Sequence, residues 1–168
     1  SYPLGHAVKR IVAGKFLNAG QTCIAPDYVL VPEDQCFQFI KLLKQEIAEC
    51  YPNLIRNPDY TAIINQHQYE RLNRLIAQAD DQGGQIIRVN PGNENPDNEK
   101  IVPTLITNIN DEMDCMKEEI FGPILPIVPY RHLDEAIDYI NSKPRPLALY
   151  YFDHNQKRIK QILHQTTS

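Results

Sequence analysis

The chain has no tryptophan, only two methionines, and just seven glycines scattered over 168 residues. No Gly-x-Gly-x-x-Gly and no other glycine-rich phosphate loop occurs, so these residues contain no recognisable cradle for a pyrophosphate. No apolar run is long enough to span a bilayer. The N-terminus lacks the charged-then-apolar layout of a signal peptide. Positive charge is not in excess either: 17 basic residues against 21 acidic ones give a net charge of −4. That balance disfavours nucleic acid or an anionic membrane as a partner. Cysteine is sparse. Cys23, Cys36, Cys50 and Cys115 form no Cys-x-x-Cys pair, and no Cys/His cluster has zinc spacing. A reduced, cytoplasmic protein without a metal site is the expectation. No internal repeat or low-complexity tract is present. The chain opens on Ser1-Tyr2-Pro3 rather than methionine, as a piece excised from a longer polypeptide would.

At 42% hydrophobic and 23% charged, the composition is that of a globular domain with enough mass for a real core. Val8, Ile11, Val12 and Phe16 recur at helical spacing and predict a helix over 5–18, with Gly20 as its left-handed stop. A strand over 28–31 follows. Pro32-Glu33-Asp34 opens a second helix with Phe37, Ile40, Leu43 and Ile47 on one face, its acidic first turn complementing the helix dipole. Residues 51–63, broken by Pro52 and Pro58, read as loop. Asn65 with Gln68 has the spacing of a capping box for a third helix carrying Tyr69, Leu72, Ile76 and Ala79, stopped by Gly83-Gly84. Residues 85–89 are a short strand and 90–100 an exposed loop. Residues 101–107 read as a strand that Pro103 would not suit at its centre. Residues 124–130 read as another, with Pro126 and Pro129 marking it as an edge or irregular strand. A helix over 133–142, a strand over 147–152 and a helix over 155–165 complete the pattern. Lys143-Pro144-Arg145-Pro146 reads as a rigid turn before that last strand. Helices alternating with apolar strands predict a three-layer α/β/α domain around a mainly parallel sheet. The absence of hairpin turns between the clear strands favours parallel crossovers.

Cys23 lies in Asn18-Ala19-Gly20-Gln21-Thr22-Cys23, between a helix and a strand, where a loop can aim a side chain into a cleft. A thiol with its ordinary pKa near 8.5 is only a few per cent thiolate at neutral pH, so a nucleophilic role requires local stabilisation of the thiolate. The plain alternative is a small buried hydrophobe. Glu118-Glu119-Ile120-Phe121-Gly122-Pro123 offers a carboxylate able to accept from two ribose hydroxyls and a ring able to cover a nucleoside. Its plain alternative is a solvated acidic turn. Cys36, Cys50 and Cys115 have no such context and read as structural. His6, His67, His132, His154 and His164 each stand alone in polar sequence and are expected at the surface.

The two motifs together resemble those of the aldehyde dehydrogenase superfamily, and the likeness runs over nearly the whole chain. Asn57-Pro58-Asp59-Tyr60, Ile63-Ile64-Asn65 and the stretch from Lys143 to Tyr150 resemble the branch acting on aromatic and fatty aldehydes, coniferyl aldehyde dehydrogenases among them. The resemblance implies Cys23 as the nucleophile, its own backbone N–H as an oxyanion donor, and Glu119 and Phe121 as contacts to the nicotinamide ribose. It implies NAD or NADP as cofactor, an aldehyde as substrate and a homo-oligomer for the full-length enzyme. The family's cofactor-binding domain, its Glu-Leu-Gly-Gly general-base segment and the asparagine of its oxyanion hole do not occur in these residues. The resemblance therefore implies a cysteine-bearing catalytic domain over 1–168, truncated at both ends and inactive alone, with the rest of its own polypeptide as partner. Two other readings remain: an acylating, CoA-dependent aldehyde dehydrogenase or acyl-phosphate reductase, and a non-catalytic binding or assembly domain that inherited the fold.

Overall fold

A computed structural model describes residues 2–90 and 99–168. The expected loop over 90–100 therefore lies largely outside the described residues. The strands are β1 (Val29–Pro32), β2 (Gln85–Arg88), β3 (Thr104–Thr107) and β4 (Ile124–Tyr130). They form one sheet in the order β1-β4-β3-β2. β1 and β3 both run parallel to β4, while β2 pairs antiparallel with β3. The α/β architecture around a mainly parallel sheet is thus the one expected, with one antiparallel edge that the alternation of elements did not signal.

The helices are α1 (Leu4–Phe16), α2 (Cys36–Cys50), α3 (Gln66–Asp81), α4 (Leu133–Ser142) and α5 (Gln156–Gln165). α1 and α2 cover one sheet face, packing Val8, Val12, Phe16, Phe39 and Leu43 against Leu105 and Leu125. α3 covers the other, packing Leu72, Ile76 and Ala79 against Ile106 and Ile124. The adjacent residues Leu105 and Ile106 feed opposite cores because strand side chains alternate. Tyr139 of α4 packs against the α3 side. The segment over 51–63 is irregular, as expected, but it is built into that core. Tyr60 is buried, stacks edge-on against Tyr51, and donates its hydroxyl to the Ile101 carbonyl at 2.8 Å. The five histidines are exposed.

Several details depart from the periodicity. Phe37 is 82% exposed, and Phe39 takes the core position instead. Phe39, Leu43 and Ile47 follow i, i+4 spacing, and Phe37 lies two residues, or about 200°, from that stripe. β4 is central, not an edge, despite Pro126 and Pro129. Residues Ile124 to Pro126 pair with β3, and Ile127 to Tyr130 pair with β1. This stagger gives each proline one partner strand, so the missing N–H leaves no hole in a two-sided ladder. β3 begins at Thr104, just after Pro103. Residues 147–152 form no strand. An apolar run cannot make a strand without a backbone partner, and that segment has none among the described residues. Leu147 and Tyr150 stay exposed, and Phe152 leans on the Tyr2 ring and the α1/α2 core.

Candidate active site

α1 ends at Phe16, four residues before the glycine expected to stop it. Asn18 and Ala19 already adopt left-handed backbone (φ 53° and 52°), and Gly20 follows at φ 76°. A left-handed alanine costs about 1 kcal/mol, and such strain persists only where surrounding contacts enforce it. Gly20 serves a contact rather than a helix end. A Cβ there would lie 2.3 Å from the Gly122 carbonyl oxygen and 2.6 Å from its carbonyl carbon. The two sequence motifs, about a hundred residues apart, therefore touch backbone to backbone.

Further hydrogen bonds hold the loop between Gly20 and Asp27 in place. The Asp27 carboxylate accepts the Ile120 N–H at 3.1 Å. Gln21 donates to the Ala62 carbonyl and accepts the Ile64 N–H. Beyond Cys23, the Tyr150 hydroxyl donates to the Ile24 carbonyl at 3.1 Å. The cysteine loop is thus held on both sides by distant segments, with the Cys23 thiol exposed.

The acidic motif is gripped from α3. Arg71 donates to the Glu118 carboxylate at 2.9 Å, to the Glu119 carbonyl at 3.3 Å and to the Ile120 carbonyl. Gln68 orients it, accepting Arg71 Nε at 2.7 Å. This explains a half-formed capping box. Asn65 accepts the Gln68 N–H as expected, but the Gln68 side chain turns to Arg71 instead of back to the cap. Glu118 is committed to Arg71, whereas the exposed Glu119 carboxylate has no hydrogen bond or ion pair among the described residues. Phe121 sits at φ 48° and is 41% exposed. Such a carboxylate has the chemistry to accept from a diol, and such a ring to cover a flat face.

Beneath the loop, Lys15 is fully buried and its Nζ has no hydrogen-bond partner among the described residues. Burial pushes its pKa down to about 8, outweighing the opposing pull of the Asp27 carboxylate. Among the described residues no group of three or more His, Cys, Asp or Glu is placed to hold a metal ion, and no helix is long and apolar enough to cross a membrane.

The four thiols are free and differ in environment. Cys115 is buried, which pushes its pKa up to about 11. Cys36 and Cys50 are also raised, first by burial and then by neighbouring carboxylates. Iodoacetamide reacts with the thiolate, so Cys23 is expected to alkylate faster than the other three. Mass-spectrometric mapping after limited labelling checks this. Labelling of Cys50, the other exposed thiol, ahead of Cys23 would contradict it.

Sequence reasoning placed Cys23, Glu119 and Phe121 in the two segments the fold brings together. It missed Gln21, Asp27, Arg71 and Tyr150, whose partners lie far along the chain. Only the Asn65–Gln68 spacing hinted at anything near Arg71.

The aldehyde dehydrogenase family model matches residues 2–168. The chain is 46% identical to coniferyl aldehyde dehydrogenase of Pseudomonas sp. (strain HR199), over all of this chain and 36% of that protein. It is 42% identical to aldehyde dehydrogenase family 3 member A2 of Macaca fascicularis, over 95% of this chain and 32% of that one. Its fold is similar to the substrate-bound state of Staphylococcus aureus AldH, at a TM-score of 0.91 and 38% identity, covering 99% of this chain and 36% of that one. The chain thus spans about a third of the length of the curated relatives it matches. With both motifs joined in one junction and the match running from residue 2 to residue 168, the chain belongs to the aldehyde dehydrogenase family.

Proposed function

We propose that this chain is the cysteine-bearing catalytic domain of a larger NAD- or NADP-dependent aldehyde dehydrogenase that oxidises an aromatic or long-chain aldehyde, such as coniferaldehyde, to the acid. The observation that supports the reading is the close backbone approach of Gly20 to Gly122, which joins the loop that carries the exposed Cys23 to the turn that carries Glu119 and Phe121. The Cys23 thiolate adds to the aldehyde carbon and forms a thiohemiacetal. The Cys23 backbone N–H donates to the oxygen that gains negative charge. Glu119 holds the ribose hydroxyls of the cofactor, and Phe121 packs beside its nicotinamide end. When bound, NAD(P) supplies the acceptor for the hydride lost as the thiohemiacetal becomes a thioester. Water then releases the acid from Cys23. The general base, the asparagine donor to the oxyanion and the phosphate-binding surface belong to the rest of the polypeptide. The complete enzyme is proposed to be a homo-oligomer.

The test is formation of NADH or NADPH, followed by its absorbance, with coniferaldehyde as substrate. The complete enzyme is expected to turn over, and the 168-residue chain alone to show none. Loss of a single oxyanion donor costs about a hundred- to a thousand-fold, and the isolated chain lacks the cofactor-positioning surface as well. Robust turnover by the chain alone would refute the division of labour. Strict dependence on CoA, with acyl-CoA as product, would replace hydrolysis with acyl transfer.

A further inference from the structure

The Gln21 side chain makes three hydrogen bonds, one inside the cysteine motif and two to a distant part of the fold. Its Nε2 donates to the Asn18 and Ala62 carbonyls, both at 3.1 Å, and its Oε1 accepts the Ile64 N–H at 2.9 Å. Asn18 Nδ2 donates back to the Gln21 carbonyl at 3.2 Å, closing the turn. Ile64 directly precedes Asn65, the N-cap of α3, and α3 carries Arg71, which grips residues 118–120. One carboxamide therefore ties the turn before the thiol to the start of the helix that holds the Glu119 segment.

We propose that Gln21 is a positioning residue. It fixes the left-handed turn ahead of Cys23 relative to α3, so that the thiol and the Glu119 carboxylate are held as one rigid unit. The inference rests on the reading of Cys23 as nucleophile given above. It concerns alignment, not the chemistry of the thiol. The geometry distinguishes the two ends of the carboxamide. The amide nitrogen faces two carbonyl oxygens, so replacing it with a carboxylate oxygen would set like dipoles against each other. A neutral carboxylic acid at the same place would restore one donor.

The test uses Gln21→Glu and Gln21→Met in the complete enzyme. At about pH 8, Gln21→Glu is expected to lower kcat about ten-fold, because two hydrogen bonds are lost and replaced by repulsion. The two facing carbonyls raise the introduced carboxyl's pKa, so at about pH 5 its kcat, as a ratio to wild type, should recover to within about three-fold as the acid form donates again. Gln21→Met, which has neither donor nor acceptor, should show a similar loss with a ratio that does not change with pH. Alkylation of Cys23 by iodoacetamide should stay within about two-fold of wild type in both variants, because the thiol itself is untouched. A Gln21→Glu ratio near one at the higher pH would overturn the inference. So would a reduced ratio without recovery at the lower pH, which would mark general loosening. If Cys23→Ala retains turnover, the underlying reading fails instead, and the two failures are distinguishable.

Discussion

Cys23→Ala in the complete enzyme is expected to abolish aldehyde oxidation, with a loss of at least about a thousand-fold in kcat, because the proposed covalent intermediate forms on this thiol. The other thiols cannot substitute. Cys115 is buried in the α3-side core, and Cys36 donates weakly to the Val31 and Pro32 carbonyls at the start of α2. Cys50 points along α2 toward Glu46. Folding should be almost indifferent to the change. Cys23 is exposed, and surface substitutions away from special backbone usually stay within about 0.5 kcal/mol. The pairing of the two measurements matters: turnover lost while the melting temperature holds assigns a chemical role to the thiol. Turnover within ten-fold of wild type would end the nucleophile reading. Cys36→Ala and Cys50→Ala should leave turnover near wild type in the same assay.

What the sequence made legible is what local rules determine. α4 spans the expected residues because Ala136, Ile137 and Ile140 recur at helical spacing. The Gly83-Gly84 stop of α3 is a hydrogen-bonded one, with Gly83 N–H on the Asp80 carbonyl and Gly84 N–H on the Ala79 carbonyl, a Schellman pair that local composition announces. Apart from Phe37, which lies off the α2 stripe for a local reason, the misreadings turn on partners far along the chain. Pro126 and Pro129 look incompatible with a central strand until the register shows that each faces one neighbour. Residues 147–152 have a strand's composition and, among the described residues, no strand to pair with. Gly20 looks like a helix stop, and only the fold shows that it exists to let Gly122 approach. The site divides the same way. Cys23, Glu119 and Phe121 could be named from short motifs, because the proposed nucleophile and ribose ligand are residue types at fixed local offsets. Gln21, Asp27 and Arg71 act by hydrogen-bonding segments 41 to 93 residues away, and no local pattern encodes such a distance.

That junction also yields a sharp contrast between two glycines. Gly20→Ala is expected to destabilise the protein by about 4 kcal/mol, near the upper end for single substitutions. Two costs add. The left-handed backbone at Gly20 (φ 76°) penalises any Cβ by about 1–2 kcal/mol. The new Cβ would also strike the Gly122 carbonyl, backbone that cannot retreat without moving the turn bearing Phe121. Gly122→Ala meets an equally close neighbour, Leu72 Cδ2 at 2.4 Å, but that is the end of a side chain. Leu72 is fully buried, so it can yield only by repacking, at about 1–3 kcal/mol. Gly20→Ala should therefore be the worse of the two in urea denaturation. It should also depress turnover beyond its effect on the folded fraction, because relief of the clash separates the Cys23 loop from the Glu119–Phe121 turn. Gly122→Ala, which displaces Leu72 on the far side of that turn, should lose stability with a smaller loss of turnover per folded molecule. Equal effects of the two substitutions, or a Gly20→Ala protein as stable as wild type, would mean that the backbone contact does not hold the two motifs together.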